Sequence, residues 1–595
     1  MRLSDRGAHK RQRIFSLFAI TMAIMLIVPG AALGKEHKAP KTVDIQVLGL
    51  NDFHGQLEAG DPVASSGFRI GPLAGTSPNQ TCIPPACYPA GGAEYLATHL
   101  DMLRATNPDN TVFVSAGDLI GATPLISAAF HDEPTIEAFN IMELDYNGVG
   151  NHEFDEGVDE LLRMQKGGCH PVDGCQGGHK FKGAKFQFLA ANVVYKKNNK
   201  PIFKPYKIHN FGHGVKVAFV GMTLEGTPLI VSPDGISMVN FLDEAETVNR
   251  LVPELKKKGA DVIVVLLHEG GTPSNTGGNP ELINTCNNPS GALPPIVEAM
   301  SDEVDIVITG HTNWAVNCLI DGKVVTGAAS QARLITDIDF SVDHKTGSIV
   351  GPIMVNNKIV TQDVPKDPRI TALIDNYNAV IAPIRDAVVG AITGPLLRAT
   401  NFDGESTIGR LIADAQLSSS QAAGAGGQIA LMNPGGIRAD LNFTGPVTHG
   451  QAFSVQPFSN IVTTKTFTGA QLKTILEQQF YGGSITPANP TGARTLVLPV
   501  SAGFTYSWSA TAPFNSKISN MMLNGVAIDP AGSYRVTANN FLAGGGDNFP
   551  GFTVGTNEQT GADDLVALEA YLGANSPYTP IDTANTANRR ITRLP

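Results

Sequence analysis

Short runs of aliphatic and β-branched residues recur along the first part of the chain, each stopping abruptly at small or polar residues. "VLGL" (Val47–Leu50), "TVFVSAGD" (Thr111–Asp118), "VKVAFVGMT" (Val215–Thr223), "DVIVVLLHEG" (Asp261–Gly270) and "VDIVITGHTN" (Val304–Asn313) are of this kind. They alternate with stretches of helical spacing, and that alternation predicts an α/β domain over residues 44–362. The stretch "PKDPRITALIDNYNAVIAPIRDAVV" then carries apolar residues at helical spacing after a Pro-rich start, and predicts a bridging helix within 363–390. Residues 391–595 mix strands and helices again and read as a second domain. Within them, "AAGAGGQ" (Ala422–Gln428) reads as a flexible connector rather than a phosphate cradle. A chain of 595 residues is too long for one core, which agrees with two or more domains.

The N-terminus changes the picture. Arg2, Arg6, Lys10, Arg11 and Arg13 precede the apolar run Ile14–Val28, and small residues follow at Ala31, Ala32 and Gly34. This is the pattern of a secretory signal peptide over 1–34, and the run is short for a membrane span. Cleavage would remove five basic side chains and one acid, taking the net charge from −11 to −15. The expected product is a secreted or periplasmic protein with no stable membrane anchor. An acidic chain without basic clusters interleaved with aromatics is not built to track a nucleic-acid polymer. Six cysteines fall into sequence neighbours, Cys82 with Cys87, Cys169 with Cys175 and Cys286 with Cys318, which read as three disulfides suited to export. Zinc is the competing reading, but the repeated C-x-x-C spacing of such sites is lacking.

Candidate chemistry lies where the predicted strands stop. The first run is followed by Asp52 and His54, the second by Asp118, the box "VGNHEFD" by Asn151, His152, Glu153 and Asp155, the next by His268, and the last by His311 and Asn313. Each has an ordinary alternative: Asp52-x-His54 as a turn, Asp118 as a helix cap, His268 as a buried imidazole. Five such ends in one chain point instead to metal ligation. Carboxylate and amide oxygens mixed with imidazole nitrogens suit Zn, Mn, Co or Fe, and the lack of Cys argues against a closed structural zinc site. Gly117, Gly150, Gly270 and Gly310 adjoin these residues and permit tight turns.

In this order and spacing, "NDFHG", "AGD", "GNHEFD", "LLHEG" and "GHTN" resemble the calcineurin-like metallophosphoesterases, and more closely their secreted 5'-nucleotidase branch. The resemblance implies an N-terminal α/β/β/α sandwich and a smaller mixed α/β C-terminal domain for substrate recognition. It also implies two divalent ions, most simply Zn, Mn or Co. Asp52, His54, Asp118 and Asn313 would hold one and Asp118, Asn151, His268 and His311 the other, with Asp118 bridging. His152 and Asp155 match the catalytic dyad.

In the C-terminal part, "LMNPGGIRADL", "VQPFSN" and "NNFLAGGGDNFPGF" supply Asn433, Arg438, Phe458, Phe541 and Asp547. On their own these read as core phenylalanines and glycine turns. By resemblance, Phe458 and Phe541 sandwich a base, Asp547 bonds ribose, Asn433 contacts base or sugar, and Arg438 contacts phosphate. The expected activity is hydrolysis of a nucleotide to nucleoside and phosphate. Alternatives are a related esterase for 2',3'-cyclic nucleotides, nucleotide sugars or non-nucleotide esters, and, in a different class, a noncatalytic surface-binding module. One departure stands out: some members of the family carry one or more arginines just before the helix that begins near "GESTIGRL", where this chain has Asp403, Gly404 and Glu405, so a second phosphate-binding arginine is either missing or replaced by Arg398 or Arg410. Oligomeric state is not legible.

Overall fold

The computed structural model describes residues 42–63, 66–75, 80–273, 282–286, 288–481 and 494–595; the expected signal peptide lies outside them. Two six-stranded sheets dominate the first part. One runs Ile349–Ile359, Leu334–Asp343, Thr42–Leu50, Thr111–Ser115, Tyr146–Gly148, Gln187–Leu189, and the other Ala315–Ile320, Lys323–Ala328, Ile306–Thr309, Val262–His268, Lys216–Thr223, Tyr206–Asn210. The two-residue period of a strand sorts side chains between two cores. Val43, Ile45 and Val47 meet Val112, Val114, Val264, Leu266 and Ile308 in the layer where the sheets face each other. On the outer face of the first sheet, Leu48, Leu50 and Phe113 pack under helices Ala93–Arg104, Glu133–Ile141 and Gly157–Lys166 through Leu96, Phe139 and Leu161. On the outer face of the second, Ile263, Val265 and Leu267 pack under Glu244–Lys257 and Leu293–Ala299 through Val248, Leu255 and Val297. This is an α/β/β/α sandwich, and burial on both faces explains why the strands read as unbroken apolar runs.

Helix Pro368–Arg385 starts at Asp367, whose side chain accepts from the N–H groups of Arg369 and Ile370, and it buries Ile370, Ile374, Tyr377 and Ile381 along one stripe. Tyr377 packs edge-on against Phe130, and on its far side the helix meets His449–Val455, so one core continues from the sandwich into the C-terminal part. There, two four-stranded sheets, Ile429–Ala430, Ser533–Asn539, Ile461–Thr468, Thr556–Asp563 and Val526–Ala527, Ile518–Leu523, Phe504–Ser509, Ile591–Leu594, carry helices Thr407–Ala422, Gly469–Glu477 and Asp564–Ala574. The structure joins Cys82 to Cys87, Cys169 to Cys175 and Cys286 to Cys318. Among the described residues, no helix is long and apolar enough to cross a membrane.

Candidate metal centre and adjoining cleft

Parallel register sets the functional strand ends level. Leu50 pairs with Ser115, Ser115 with Asn147, and in the second sheet Leu267 with Thr309, so the loops that follow emerge together. Phe53 turns into the core against Phe139, leaving Asp52 and His54 on the opposite side. Asp118 is the hub: its Oδ2 lies 3.0 Å from His268 Nε2 and 3.7 Å from His54 Nε2, and its Oδ1 accepts from the His152 N–H at 2.9 Å. Asn151 Oδ1 stands 3.1 Å from His268 Nε2 and 3.0 Å from His311 Nδ1. Asp52 Oδ2 accepts from the His311 N–H at 2.9 Å. Asn313 is on the exposed rim, its amide donating to the His311 carbonyl at 3.2 Å.

Several features fit this donor set to cations. Asp52 Oδ1 is buried without a hydrogen-bond partner. His268 gives its Nδ1–H to the Ala116 carbonyl at 2.7 Å and His54 gives its Nδ1–H to the Gly121 carbonyl at 3.0 Å, which turns both Nε2 atoms toward Asp118. Burial pushes His54 down to about 3 and His311 down to about 4, holding both as neutral imidazoles, the form that ligates. Burial raises Asp52 to about 7, with His268 opposing the rise and the Asp118 charge adding to it. Burial would also raise Asp118, but His268 beside it pulls the carboxyl well below its usual range.

The backbone is shaped for the same purpose. Asp52, His54, Asp118, His311 and Asn313 all have positive φ, between 48° and 70°, a region non-glycine residues seldom enter. Such conformations persist where surrounding structure over-determines them. A Cβ on Gly150 would sit 2.2 Å from Asp118 Oδ1, and one on Gly117, itself at φ 93°, 2.7 Å from His268 Nδ1, so neither position has room for a side chain.

Glu153, one of the strand-end ligand candidates, and Asn51, which had no expected role, hold the centre together. Glu153, only 3% exposed, accepts from the N–H groups of Asp118 (2.9 Å), Gly150 (2.7 Å) and Leu119 (2.9 Å) and from Asn147 Nδ2 (3.1 Å). Burial, and then the Asp118 charge, push its carboxyl up to about 7, while all four neighbours are donors and favour the ionised form. Asn51 donates to Asp52 Oδ2 (2.7 Å) and accepts from the Ala328 N–H (2.6 Å), pinning the first loop to a neighbouring strand. Both residues sit inside the boxes "NDFHG" and "GNHEFD", which was their sole signal in the sequence.

Beside the centre, a cleft of about 370 Å³ is lined by Asn151, His152, Asp155 and His311 from the sandwich and by Asn433, Arg438, Phe458, Phe541 and Asp547 from the C-terminal part. His152 Nδ1 lies 2.8 Å from Asp155 Oδ2; burial would lower this imidazole, but Asp155 and Asp118 raise it above its ordinary value. The Phe458 ring stacks near His152, with centroids 6.0 Å apart and planes 15° from parallel, and the Arg438 guanidinium stands 5.7 Å from the Phe458 ring centre. Phe541 lies over Gly546, where a Cβ would meet its ring at 2.5 Å. Asn433 ties Asp547 through Nδ2 to Oδ2 at 2.8 Å, and Asp547 has φ 52°.

The acidic stretch Asp403–Glu405 also finds its reason. Asp403 pairs with Arg589 at 3.0 Å and accepts from the Arg593 N–H, while Glu405 faces Arg410 at 3.5 Å and accepts from the Arg590 N–H, so these acids anchor the C-terminal strand. Arg410 is 4% exposed and turned toward Glu405. Arg398 donates to the carbonyl of Arg438 at 3.3 Å, next to the cleft.

A two-sheet sandwich whose strand ends converge on Asp, Asn and His is the framework of a metal-dependent phosphoester hydrolase, and residues 45–314 match the sequence model of the calcineurin-like phosphoesterases. Residues 388–554 match that of the 5'-nucleotidase C-terminal domain. With both parts present in this order, the chain belongs to the 5'-nucleotidase family. It is 31% identical over 609 residues to the cell wall protein Lmo0130 of Listeria monocytogenes, covering 95% of this chain and 73% of that one. It is also 31% identical over 545 residues to the endonuclease YhcR of Bacillus subtilis, covering 91% of this chain but 41% of that protein, so it spans less than half of the endonuclease's length. The crystal structure of a 5'-nucleotidase precursor from Thermus thermophilus shares the fold, with a TM-score of 0.68 at 23% identity over 93% of this chain and 99% of that one.

Proposed function

We propose that this chain is an exported dinuclear-metal hydrolase of nucleotide phosphate esters, acting as a 5'-nucleotidase that releases nucleoside and phosphate. The observation that carries this reading is the single cleft that unites strand-end residues of the sandwich with two phenylalanines, an arginine and a carboxylate of the C-terminal part. Asp52, His54, Asp118 and Asn313 would hold one cation and Asp118, Asn151, His268 and His311 the other. Two divalent cations supply Lewis acidity at the phosphoryl oxygens and lower the pKa of a water. The family's chemistry leaves the metal open among Zn, Mn and Co. The paired cysteines and the basic-apolar N-terminus support export, and residues 44–362, 363–390 and 391–595 form the natural division into catalytic domain, linking helix and recognition domain.

The side chains divide the remaining work. Asp155 takes the Nδ1–H of His152 and favours its imidazolium, so Nε2–H is available to a phosphoryl or leaving-group oxygen. Arg438 adds a fixed charge beside the same position. Asn433 holds the Asp547 carboxylate ready for a pair of ribose hydroxyls. Phe458 and Phe541 line the same cleft and supply the aromatic surface for a base.

The test uses Phe458→Ala and Phe541→Ala, each folded and metal-loaded, on AMP and on a simple alkyl phosphate. Stacking is worth about 1 to 3 kcal/mol per base, a loss of roughly 5- to 150-fold in kcat/KM for AMP. The alkyl ester has no base and should be spared. Equal losses on both substrates would remove the base clamp and with it the nucleotide assignment.

A further inference from the structure

The loop that carries Asp547 is held through its backbone by Arg494. Gly545, Asp547 and Asn548 have φ of 95°, 52° and 57°, so the chain turns left-handed repeatedly within this short stretch. Non-glycine residues hold that region only where neighbours fix them. Arg494 Nη1 donates to the Asp547 carbonyl at 2.5 Å, and its Nη2 donates to the carbonyls of Gln478 at 3.2 Å and Asn548 at 3.4 Å. The guanidinium carbon stands 4.6 Å from the centre of the buried Phe549 ring, which sets the plane from which these N–H groups reach out.

Arg494 is itself anchored. Its backbone N–H donates to the Phe480 carbonyl at 3.2 Å and that of Leu496 to the Gln479 carbonyl at 2.8 Å, so the segment lies along the turn that ends helix Gly469–Glu477. Gln478 caps that helix, and its carbonyl is one of the acceptors a helix leaves open at its C-terminus, where a cation is favoured. The Gln478 side chain accepts from the Gly551 N–H at 3.0 Å, so the helix end grips the 545–551 segment at a second point. The Asp547 carboxylate is tied separately: Asn433 Nδ2 donates to its Oδ2 at 2.8 Å, and Asn433 Oδ1 accepts from Asn539 Nδ2 at 3.0 Å. Backbone placement therefore falls to Arg494 and side-chain orientation to Asn433. Burial pushes the Asp547 carboxyl up, and the Asn433 hydrogen bond, then the Arg494 and Arg438 charges, draw it back toward the ionised, acceptor-only form that a pair of hydroxyls requires.

We propose that Arg494 is the positioning residue of ribose recognition: by holding the carbonyls of Asp547 and Asn548 against the end of helix Gly469–Glu477, it fixes the left-handed turn that presents the Asp547 carboxylate to the two hydroxyls. The proposal rests on the reading of Asp547 as the ribose contact. It makes the preference for a ribonucleoside over one without hydroxyls depend on a side chain whose bonds go to backbone carbonyls. The planar fork is what the task needs. A lysine keeps the charge, but its ammonium is a single point that cannot lie on the Phe549 ring and span the carbonyls of Gln478, Asp547 and Asn548 together. Without the fork, the turn relaxes and Asn433 alone restrains the carboxylate.

The experiment compares, by calorimetry on the full chain, the binding of adenosine with that of 2',3'-dideoxyadenosine, which keeps the base and lacks both hydroxyls; neither metal nor turnover enters the readout. Wild-type protein should prefer adenosine by about 10- to 150-fold, the worth of one hydrogen bond to an ionised acceptor, and Asp547→Ala should erase the preference. Arg494→Lys and Arg494→Ala should each reduce it to about threefold or less, while dideoxyadenosine binds within about twofold of wild type, which shows that the domain is folded and the base site intact. A wild type that binds neither nucleoside would refute the nucleotide reading, and the proposal with it. Equal binding of the two by the wild type, or a preference that outlives Asp547→Ala, would remove Asp547 from ribose recognition and take Arg494 with it. Where the preference is present in the wild type and absent from Asp547→Ala, its survival in either Arg494 variant would overturn the proposal alone. An equal loss of affinity for both nucleosides in both Arg494 variants would make Arg494 a support of the whole domain and overturn it as well.

Discussion

Replacing Glu153 by Gln should strip the metal centre without touching a ligand. The carboxylate accepts two contacts on Oε2, from the N–H groups of Asp118 and Gly150, and two on Oε1, from Leu119 N–H and Asn147 Nδ2. An amide keeps one oxygen, so one pair of donors meets an NH2 group instead, whichever way the side chain is turned. Losing two hydrogen bonds to a charged acceptor at a buried site costs about 3 to 6 kcal/mol, at about 1.5 to 3 kcal/mol each. The penalty falls on the loops that present Asp118 and Asn151, so it emerges first as weaker metal binding. At about 1.4 kcal/mol per tenfold, the loss is on the order of a hundredfold or more in metal affinity. Competition with a chelator measures it, and activity at limiting metal should fall in parallel while excess metal restores part of it. If Glu153→Gln binds metal within about threefold of wild type, the carboxylate does not hold Asp118 in place and the account of the hub is wrong.

Other substitutions separate ligands from acid–base groups. Asp118→Asn should lose metal content and activity together, since one carboxylate faces both His54 and His268. His152→Ala should keep its metals while kcat falls by about 10²- to 10⁴-fold, and elemental analysis showing metal loss would make it a ligand instead. Asp564 governs a pH dependence in the C-terminal part: burial, then Asp563, push its carboxyl up to about 8, against about 3.9 in an unfolded chain. Between those values the folded chain keeps a proton that the unfolded chain has lost. Its contribution to stability is therefore complete below about pH 4 and is lost as pH rises toward about 8, by up to about 1.4 kcal/mol per unit. Asp564→Asn should accordingly melt at progressively higher temperature than wild type as pH is raised from about 5 to 8; a constant gap across that range would rule out Asp564 as the source.

Much of this protein is written locally. An apolar run followed by Asp, Asn or His states both that a strand will be buried and that its end carries ligand chemistry, because burial and donor type are properties of the residues themselves. For that reason Asp52, His54, Asp118, Asn151, His268 and His311 could be singled out from strand ends, and the helix Pro368–Arg385 from its stripe of Ile370, Ile374, Tyr377 and Ile381. Resemblance extended the reading to Phe458, Phe541 and Asp547, whose own pattern is indistinguishable from core and turn. Other features depend on convergence. That Glu153 is the brace of Asp118 rather than one more ligand follows from four donors arriving from separate segments. That Phe458 lies beside His152, and that Asp403 and Glu405 serve Arg589 and Arg590 instead of a phosphate, follows from how the C-terminal part seats on the sandwich. The left-handed backbone at Asp52, His54, Asp118 and His311 is likewise invisible in composition, since non-glycine residues enter it only when neighbours compel them. His268 reaches the carbonyl of Ala116 across 152 residues of sequence. Contacts of that range are set by sheet register and loop path together, and no local window of the chain contains either.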